Sequence, residues 1–397
     1  MKSKKLHLSL LIFFQLSAVG SYVPILSMYL KEYLNFSGMQ VGVILSMASI
    51  PSIVVPFFSA WIVDRVITSR RFLALCHIGA AALITVMSFG TNYITILIAY
   101  FTYTILLVPT YALVNALIFH NMEDRNSFGT IRVWGTIGWV TSSWLVSFII
   151  KIFNIDGYKP FILQLSAVFS LIVVVLTLKL PKLKLDRDKK VSLLPKEAID
   201  VIKKPEVILI YILVFISSTA DKFLGYGMPM FLSYNGTEES NIILLLSLGQ
   251  APEILMLFTL VFIIKKLGFK NIFILALILQ ATRYIIFYIN GPTPLTVFGI
   301  IIHGFIFAFF YTGSTIYLDS LSDISSRGGI HQIFTMVQVG LAGLCGNFFA
   351  GYVAENFTKN GDIDFKVFWM VPSLMSLVTL LTLAIAMKRL NNRSKVN

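Results

Sequence analysis

Charge is scarce in this sequence. Only 13% of its 397 residues are Asp, Glu, Lys or Arg and 57% are hydrophobic, whereas a soluble domain carries about 25% charged residues. So much apolar surface needs lipid. Cysteine is scarce as well: Cys76 and Cys345 both lie inside apolar runs and offer neither metal-ligand spacing nor a disulfide framework. There is no Gly-rich phosphate loop and no His-Glu-x-x-His pair, so nucleotide hydrolysis and zinc proteolysis have no support, and no enzyme activity, metal or cofactor is expected. The net charge of +13 does not indicate a nucleic-acid partner. The Lys and Arg residues fall in bands between hydrophobic runs, with no basic-aromatic face.

Those runs are what the chain does have. Apolar segments long enough to cross the ~30 Å hydrocarbon core cover 8–30, 39–63, 72–90, 94–118, 132–153 and 159–179, then 207–232, 240–264, 271–290, 294–317, 330–352 and 367–387. The first follows Lys2, Lys4 and Lys5 without a small-residue cleavage site, so it is expected to be a spanning helix and not a removed signal. This gives an all-α membrane protein of twelve spans: a six-helix bundle at 1–179, a basic cytoplasmic linker at 180–205 and a second bundle at 206–397. A short amphipathic helix is expected around Leu194–Ile202.

Basic residues concentrate in the termini and in the loops after even-numbered spans. The opposite loops hold only Lys31, Lys151, Lys159, Lys359 and Lys366, while Arg132, Lys222 and Arg283 lie within or at the ends of spans. The positive-inside bias therefore puts both termini in the cytoplasm.

An internal repeat supports the division into halves. Leu45-Ser46-Met47-Ala48-Ser49-Ile50-Pro51-Ser52-Ile53 aligns with Leu246-Ser247-Leu248-Gly249-Gln250-Ala251-Pro252-Glu253-Ile254 at one constant offset, matching the second span to the eighth. Shared Leu and Ile arise easily by chance; a Pro, a Ser and the helix end in register do so less easily.

Between the second and third spans runs Ala60-Trp61-Ile62-Val63-Asp64-Arg65-Val66-Ile67-Thr68-Ser69-Arg70-Arg71. It resembles the signature loop of the major facilitator superfamily, with Ala60 in place of the first Gly. An ordinary positive-inside loop would also be basic, but not with this spacing. The resemblance implies a cytoplasmic gate built from Asp64, Arg65, Arg70 and Arg71, and two parallel six-helix repeats that move by alternating access.

The fifth span opens with Ile131-Arg132-Val133-Trp134-Gly135-Thr136-Ile137-Gly138-Trp139. Arg132, Thr136 and Trp139 share one face at i, i+4 and i+7, and Gly135 with Gly138 would let another helix approach closely. On periodicity alone, Arg132 could equally snorkel to the membrane surface. This string resembles the nucleoside:proton symporter family within the major facilitator superfamily. Three further stretches agree: Pro109-Thr110-Tyr111-Ala112-Leu113-Val114-Asn115, Gln250-Ala251-Pro252-Glu253-Ile254-Leu255, and Arg283-Tyr284 with Gly291-Pro292-Thr293-Pro294. The likeness covers nearly the whole chain, although its Arg-x-Trp-Gly-x-x-Gly core is shared more loosely with oligosaccharide and arylpropionate symporters.

The resemblance implies substrate contacts from Arg132, Thr136 and Trp139 in the first half, and from Gln250, Glu253 and Phe307 in the second. Aromatic planes would stack on a base, while amide and carboxylate would satisfy ribose hydroxyls. It also implies uptake of a nucleoside with protons through a bacterial inner membrane, by a monomer seated in the lipid bilayer. The alternatives are another cargo (a sugar, an aromatic acid or an exported drug), a transporter-like receptor, or a membrane-embedded enzyme.

Two departures bear on the proton. Ala308 stands where the family tends to have an acid beside the aromatic at Phe307, with His303 one turn earlier; Asp221-Lys222 stands where it has neutral polar residues. The coupling candidates are Glu253, then Asp221 and His303. Adjacent on a helix, Asp221 and Lys222 diverge by about 100°, so each needs another partner or water. His77 and His120 are expected to be satisfied packing or interfacial residues.

Overall fold

The computed structural model describes residues 2–122, 128–155, 160–180, 200–359 and 361–393. Nearly all of them are helical. Eleven helices among the described residues are long and apolar enough to cross a membrane, but one of these, Glu239–Ile289, runs for 51 residues. At ~1.5 Å per residue it would be more than twice as long as the ~30 Å hydrocarbon core. It divides at Gly268, whose φ of 76° and ψ of 159° belong to a region that only glycine enters without strain. Twelve crossings result.

In chain order these are α1 (Lys4–Tyr33), α2 (Gly38–Met47 and Ser49–Arg65), α3 (Ser69–Phe89), α4 (Tyr93–Asn121), α5 (Phe128–Phe153) and α6 (Phe161–Leu178). There follow α7 (Pro205–Tyr234), α8 (Glu239–Ser247 and 250–267), α9 (269–289), α10 (Thr293–Ser320), α11 (Ser326–Asn356) and α12 (Phe365–Arg393). A small antiparallel pair, β1 (Thr358–Lys359) and β2 (Asp362–Ile363), joins the last two helices. Most of the segment expected as an amphipathic helix around Leu194–Ile202 lies outside the described residues.

The sequence repeat has a structural counterpart. α2 is interrupted at Ala48 (φ −61°, ψ −20°) and α8 at Gly249 (φ −62°, ψ −24°), at matching positions and with the same turn. Proline explains both breaks: Pro51 and Pro252 have no N–H to offer the carbonyls of Met47 and Leu248 four residues earlier, and the ring crowds those carbonyls.

Two compact units form, and the chain passes between them more than once: Met1–Val191 with Leu232–Ser247, and Ser192–Phe231 with Leu248–Asn397. The end of α7 and the first half of α8 thus group with the first unit. The first half of α8 packs on α5 and is bonded to it, from the Trp144 indole to the Ser247 hydroxyl at 2.9 Å and from the Ser147 hydroxyl to the Ser240 carbonyl.

Within the first unit, α1 lies directly on α5. A Cβ on Gly138 would stand 2.2 Å from the Phe13 carbonyl oxygen, and one on Gly20 2.7 Å from that of Trp139. Hydroxyls bind across the seam, Ser17 to the Gly138 carbonyl and Ser143 to that of Gly20, both at 3.0 Å. The close approach expected of the α5 glycines is therefore real, and side-chain hydroxyls take up main-chain acceptors that lipid could not satisfy. In the second unit, Phe231, Tyr284, Phe287 and Phe368 pack around buried Trp369.

Candidate functional site

In the first unit, α5 turns Ile131, Gly135, Gly138 and Ser142 into the helix packing and leaves Arg132 exposed, with Thr136 and Trp139 half-buried. The shared face expected from the spacing forms. Side chains on a helix normally lean toward its N-terminus, yet one guanidinium nitrogen of Arg132 lies 2.8 Å from the place a Cβ on Gly135 would occupy. The cation therefore folds one turn deeper along the span, which argues against snorkelling. The Tyr111 phenol of α4 is in its electrostatic neighbourhood. Tyr111 was legible only as part of a motif, not as a neighbour of Arg132.

In the second unit, the substrate candidates Gln250 and Glu253 begin the second segment of α8, immediately after its break, and both are half-buried. The Gln250 amide oxygen is buried and has no hydrogen-bond partner among the described residues. Behind them, α10 approaches so closely that a Cβ on Gly304 would lie 2.3 Å from the Glu253 amide nitrogen. Phe307 follows on α10 at the start of a widened π-helical turn, Phe307–Thr312, a distortion that often accompanies functional sites. Its ring centroid is 6.2 Å from that of Tyr311 and 6.5 Å from the imidazole of His303.

Deeper in the same unit lies a polar network spanning α7, α9 and α10. Asp221 accepts hydrogen bonds from the Arg283 guanidinium and, at 2.9 Å, from the Tyr284 hydroxyl on one oxygen; the other takes the Tyr311 hydroxyl at 2.5 Å. Arg283 also reaches Nδ1 of His303 at 3.0 Å. Ser217 extends the network, meeting Tyr311 at 3.2 Å and donating to Gln280 at 2.6 Å. The partner of Asp221 is thus Arg283. As adjacency on a helix required, Lys222 points elsewhere, its stem against Gly346 of α11, and no carboxylate pairs with it among the described residues.

The remaining candidates are mostly apart. Asp64 and Arg65 end α2, but their side chains lie outside the described residues, and Arg71 is exposed. Arg70 hydrogen-bonds the carbonyl oxygen of Leu180 at 2.6 Å, beyond the end of α6. His7 reaches the Leu176 carbonyl at 2.8 Å, so two basic side chains cap the negative end of that helix. His120 is exposed at a helix end, as an interfacial residue would be. His77 departs from expectation: it is fully buried, yet neither ring nitrogen has a partner among the described residues.

Sequence reasoning undervalued Arg283 and passed over Tyr284, Tyr311, Gln280 and Ser217 as site residues. One signal was available. A mid-span acid and a mid-span arginine are each costly in lipid alone, and complementary charge should have paired them.

A family model described as Nucleoside H+ symporter matches residues 1–392. The chain belongs to the nucleoside H+ symporter family. This member is 26% identical over 396 residues to nucleoside permease NupG of Escherichia coli (strain K12), covering 92% of each chain, and 23% identical over 388 residues to a xanthosine permease of the same organism, covering 92% of this chain and 91% of that one. The crystal structure of nucleoside transporter NupG has the same fold, with a TM-score of 0.87 at 23% identity over 97% of this chain and 99% of that one. The family member is accordingly a multi-pass membrane transporter and not an enzyme.

Proposed function

We propose that this symporter imports nucleosides with protons across a bacterial inner membrane, as a monomer with both termini in the cytoplasm. The observation that carries the substrate assignment is the Gln250 amide oxygen, buried without a partner beside Glu253 among the described residues. A buried acceptor left empty costs about 1–3 kcal/mol, and a ribose hydroxyl supplies the missing donor. Glu253 accepts from a second hydroxyl one turn away and Phe307 offers an aromatic plane; Arg132, Thr136 and Trp139 of the first unit are the further substrate contacts that the family resemblance implies. These groups suit a cargo with both a π-face and vicinal hydroxyls better than an apolar drug.

Protons enter through the ionisable groups of the second unit, where Glu253, Asp221 and His303 are the candidates. The loop carrying Asp64, Arg65 and Arg71 serves as the cytoplasmic gate, with Arg70 anchoring it to the end of α6. Purified protein in proteoliposomes tests this reading with labelled uridine and adenosine, with and without an inward proton gradient. Accumulation above equilibrium only with the gradient, competed by nucleosides and not by free sugars or aromatic acids, is the expected result. Binding without uptake, or recovery of modified nucleoside, would overturn it.

A further inference from the structure

The imidazole of His303 touches both the buried ion pair and the substrate helix. A guanidinium only donates hydrogen bonds, so at the 3.0 Å contact with Arg283 Nδ1 of His303 is the acceptor. The ring is then the neutral tautomer with its hydrogen on Nε2. Adding a proton at Nδ1 uses the lone pair that Arg283 holds and sets one cation against another, N–H facing N–H. Arg283 on the imidazole and a proton on the imidazole exclude each other.

Asp221 is a poorer proton acceptor in this arrangement. Its oxygens already receive hydrogen bonds from Arg283, Tyr284 and Tyr311, and neutralising it would strip the buried Arg283 of its counter-charge.

The ring also reaches α8. Cβ and Cδ2 of His303 lie 3.5 and 3.6 Å from the position of a Cβ on Gly249, at the break, and the next residue, Gly304, abuts the Glu253 amide nitrogen. Arg283 on α9 touches the imidazole and holds Asp221 on α7, while Tyr284 on α9 and Tyr311 on α10 are bonded to that carboxylate; Glu253 belongs to the turn of α8 whose backbone abuts Gly304. Lys222 lies on the side of α7 that meets Gly346.

We infer that His303 is the proton-binding site of the transport cycle, trading its Arg283 hydrogen bond for a proton, and that the trade reaches the substrate through the contact of α10 with the broken turn of α8. This rests on the reading of the chain as a proton-coupled nucleoside importer. The incoming proton forms an N–H bond at Nδ1; Arg283 leaves the ring and keeps Asp221 and Tyr284; release of that proton to the cytoplasm restores the neutral ring and the Arg283 contact. One proton moves per cycle and no redox partner is needed.

His303→Asn is the informative variant, because its amide oxygen falls near the place of Nδ1 and still accepts from Arg283 but does not titrate. In proteoliposomes, uridine counterflow without a gradient should persist within about threefold of wild type, while accumulation driven by an inward proton gradient falls to equilibrium. The pH dependence of counterflow between about pH 4 and 8, a window wide enough for an imidazole whose proton competes with Arg283, should flatten. Gradient-driven accumulation by His303→Asn with the wild-type pH profile overturns the site alone, as does loss of counterflow and accumulation together in a variant of wild-type thermal stability. Wild-type vesicles that take up no nucleoside defeat the transport reading and this site with it. Should the variant fail to fold, nucleoside affinity of the wild type decides: it should change up to about tenfold per pH unit across a single transition in that range, and an affinity that stays flat there overturns the site.

Discussion

Removing the carboxylate of Asp221 leaves the Arg283 guanidinium, which is 0% exposed, without a counter-charge. Breaking a buried pair on one side costs about 3–5 kcal/mol. Asp221→Asn should therefore lower the thermal midpoint in detergent and the yield, and Asp221→Asn combined with Arg283→Gln should recover part of the loss. An unchanged midpoint in the single variant would show that the pair contributes nothing. Glu253→Gln tests a different role. It preserves volume and hydrogen-bonding capacity but removes charge, so a ribose-binding Glu253 should lose about tenfold in nucleoside affinity, a charge-assisted hydrogen bond being worth ~1.5–3 kcal/mol, while residual uptake stays proton-driven. Retained affinity with lost accumulation would instead return the proton to Glu253. At this scale the sequence identified the ionisable residues but not their partners: Asp221 and Arg283 meet only because α7 and α9 pack together, which no local spacing encodes. The inward fold of Arg132 over Gly135 was equally invisible, since periodicity fixes a face and not the direction of a side chain along it.

Where whole elements meet, the contact between α8 and α10 has almost no slack. A methyl group at Gly304 would meet the backbone of Glu253 at 2.3 Å, and backbone cannot swing aside as a flexible side chain does. Gly304→Ala should reduce nucleoside affinity and uptake more than about tenfold, on the scale of the ~1–3 kcal/mol cost of overpacking, which binding and transport assays on the variant would check; wild-type uptake would mean that the two helices separate freely. At the hairpin before α12, the Lys359 ammonium beside Asp364 holds that carboxyl below the usual carboxylate range, helped by the amides of Lys366 and Val367. A lowered carboxyl value stabilises the fold above the unfolded value of about 3.9, and that stabilisation is lost as pH falls through the lower folded value. Asp364→Asn retains a cap acceptor, so its deficit in thermal midpoint at neutral pH should shrink as the pH is lowered toward about 3; a constant deficit would refute the charge term. The helix boundaries around these contacts were largely legible, because an apolar run and its flanking Lys or Pro are local signals. The distance between helices was not, since it depends on which glycine faces which backbone.

For the molecule as a whole, twelve crossings and two six-helix sets were legible from length and hydropathy, and the loop signature pointed to a gate. The grouping of Leu232–Ser247 with the first unit was not, because it rests on packing of the first half of α8 against α5, far away in sequence. Gating belongs to this scale: Asp64→Asn should slow transport severalfold while equilibrium nucleoside binding stays near wild type, since a gate residue biases one conformational state without touching substrate. Equal losses of binding and transport would remove Asp64 from that role. The paired interruptions of α2 and α8 have a historical meaning. If the halves descend from a tandem duplication, the proline that breaks both helices predates it, and the six-helix ancestor already carried the bend. Ser49 and Ser52 in the first copy correspond to Gln250 and Glu253 in the second. On that descent the bend was inherited twice, whereas an amide and a carboxylate follow it in one copy alone, so those side chains are younger, or more narrowly retained, than the joint beside which they sit.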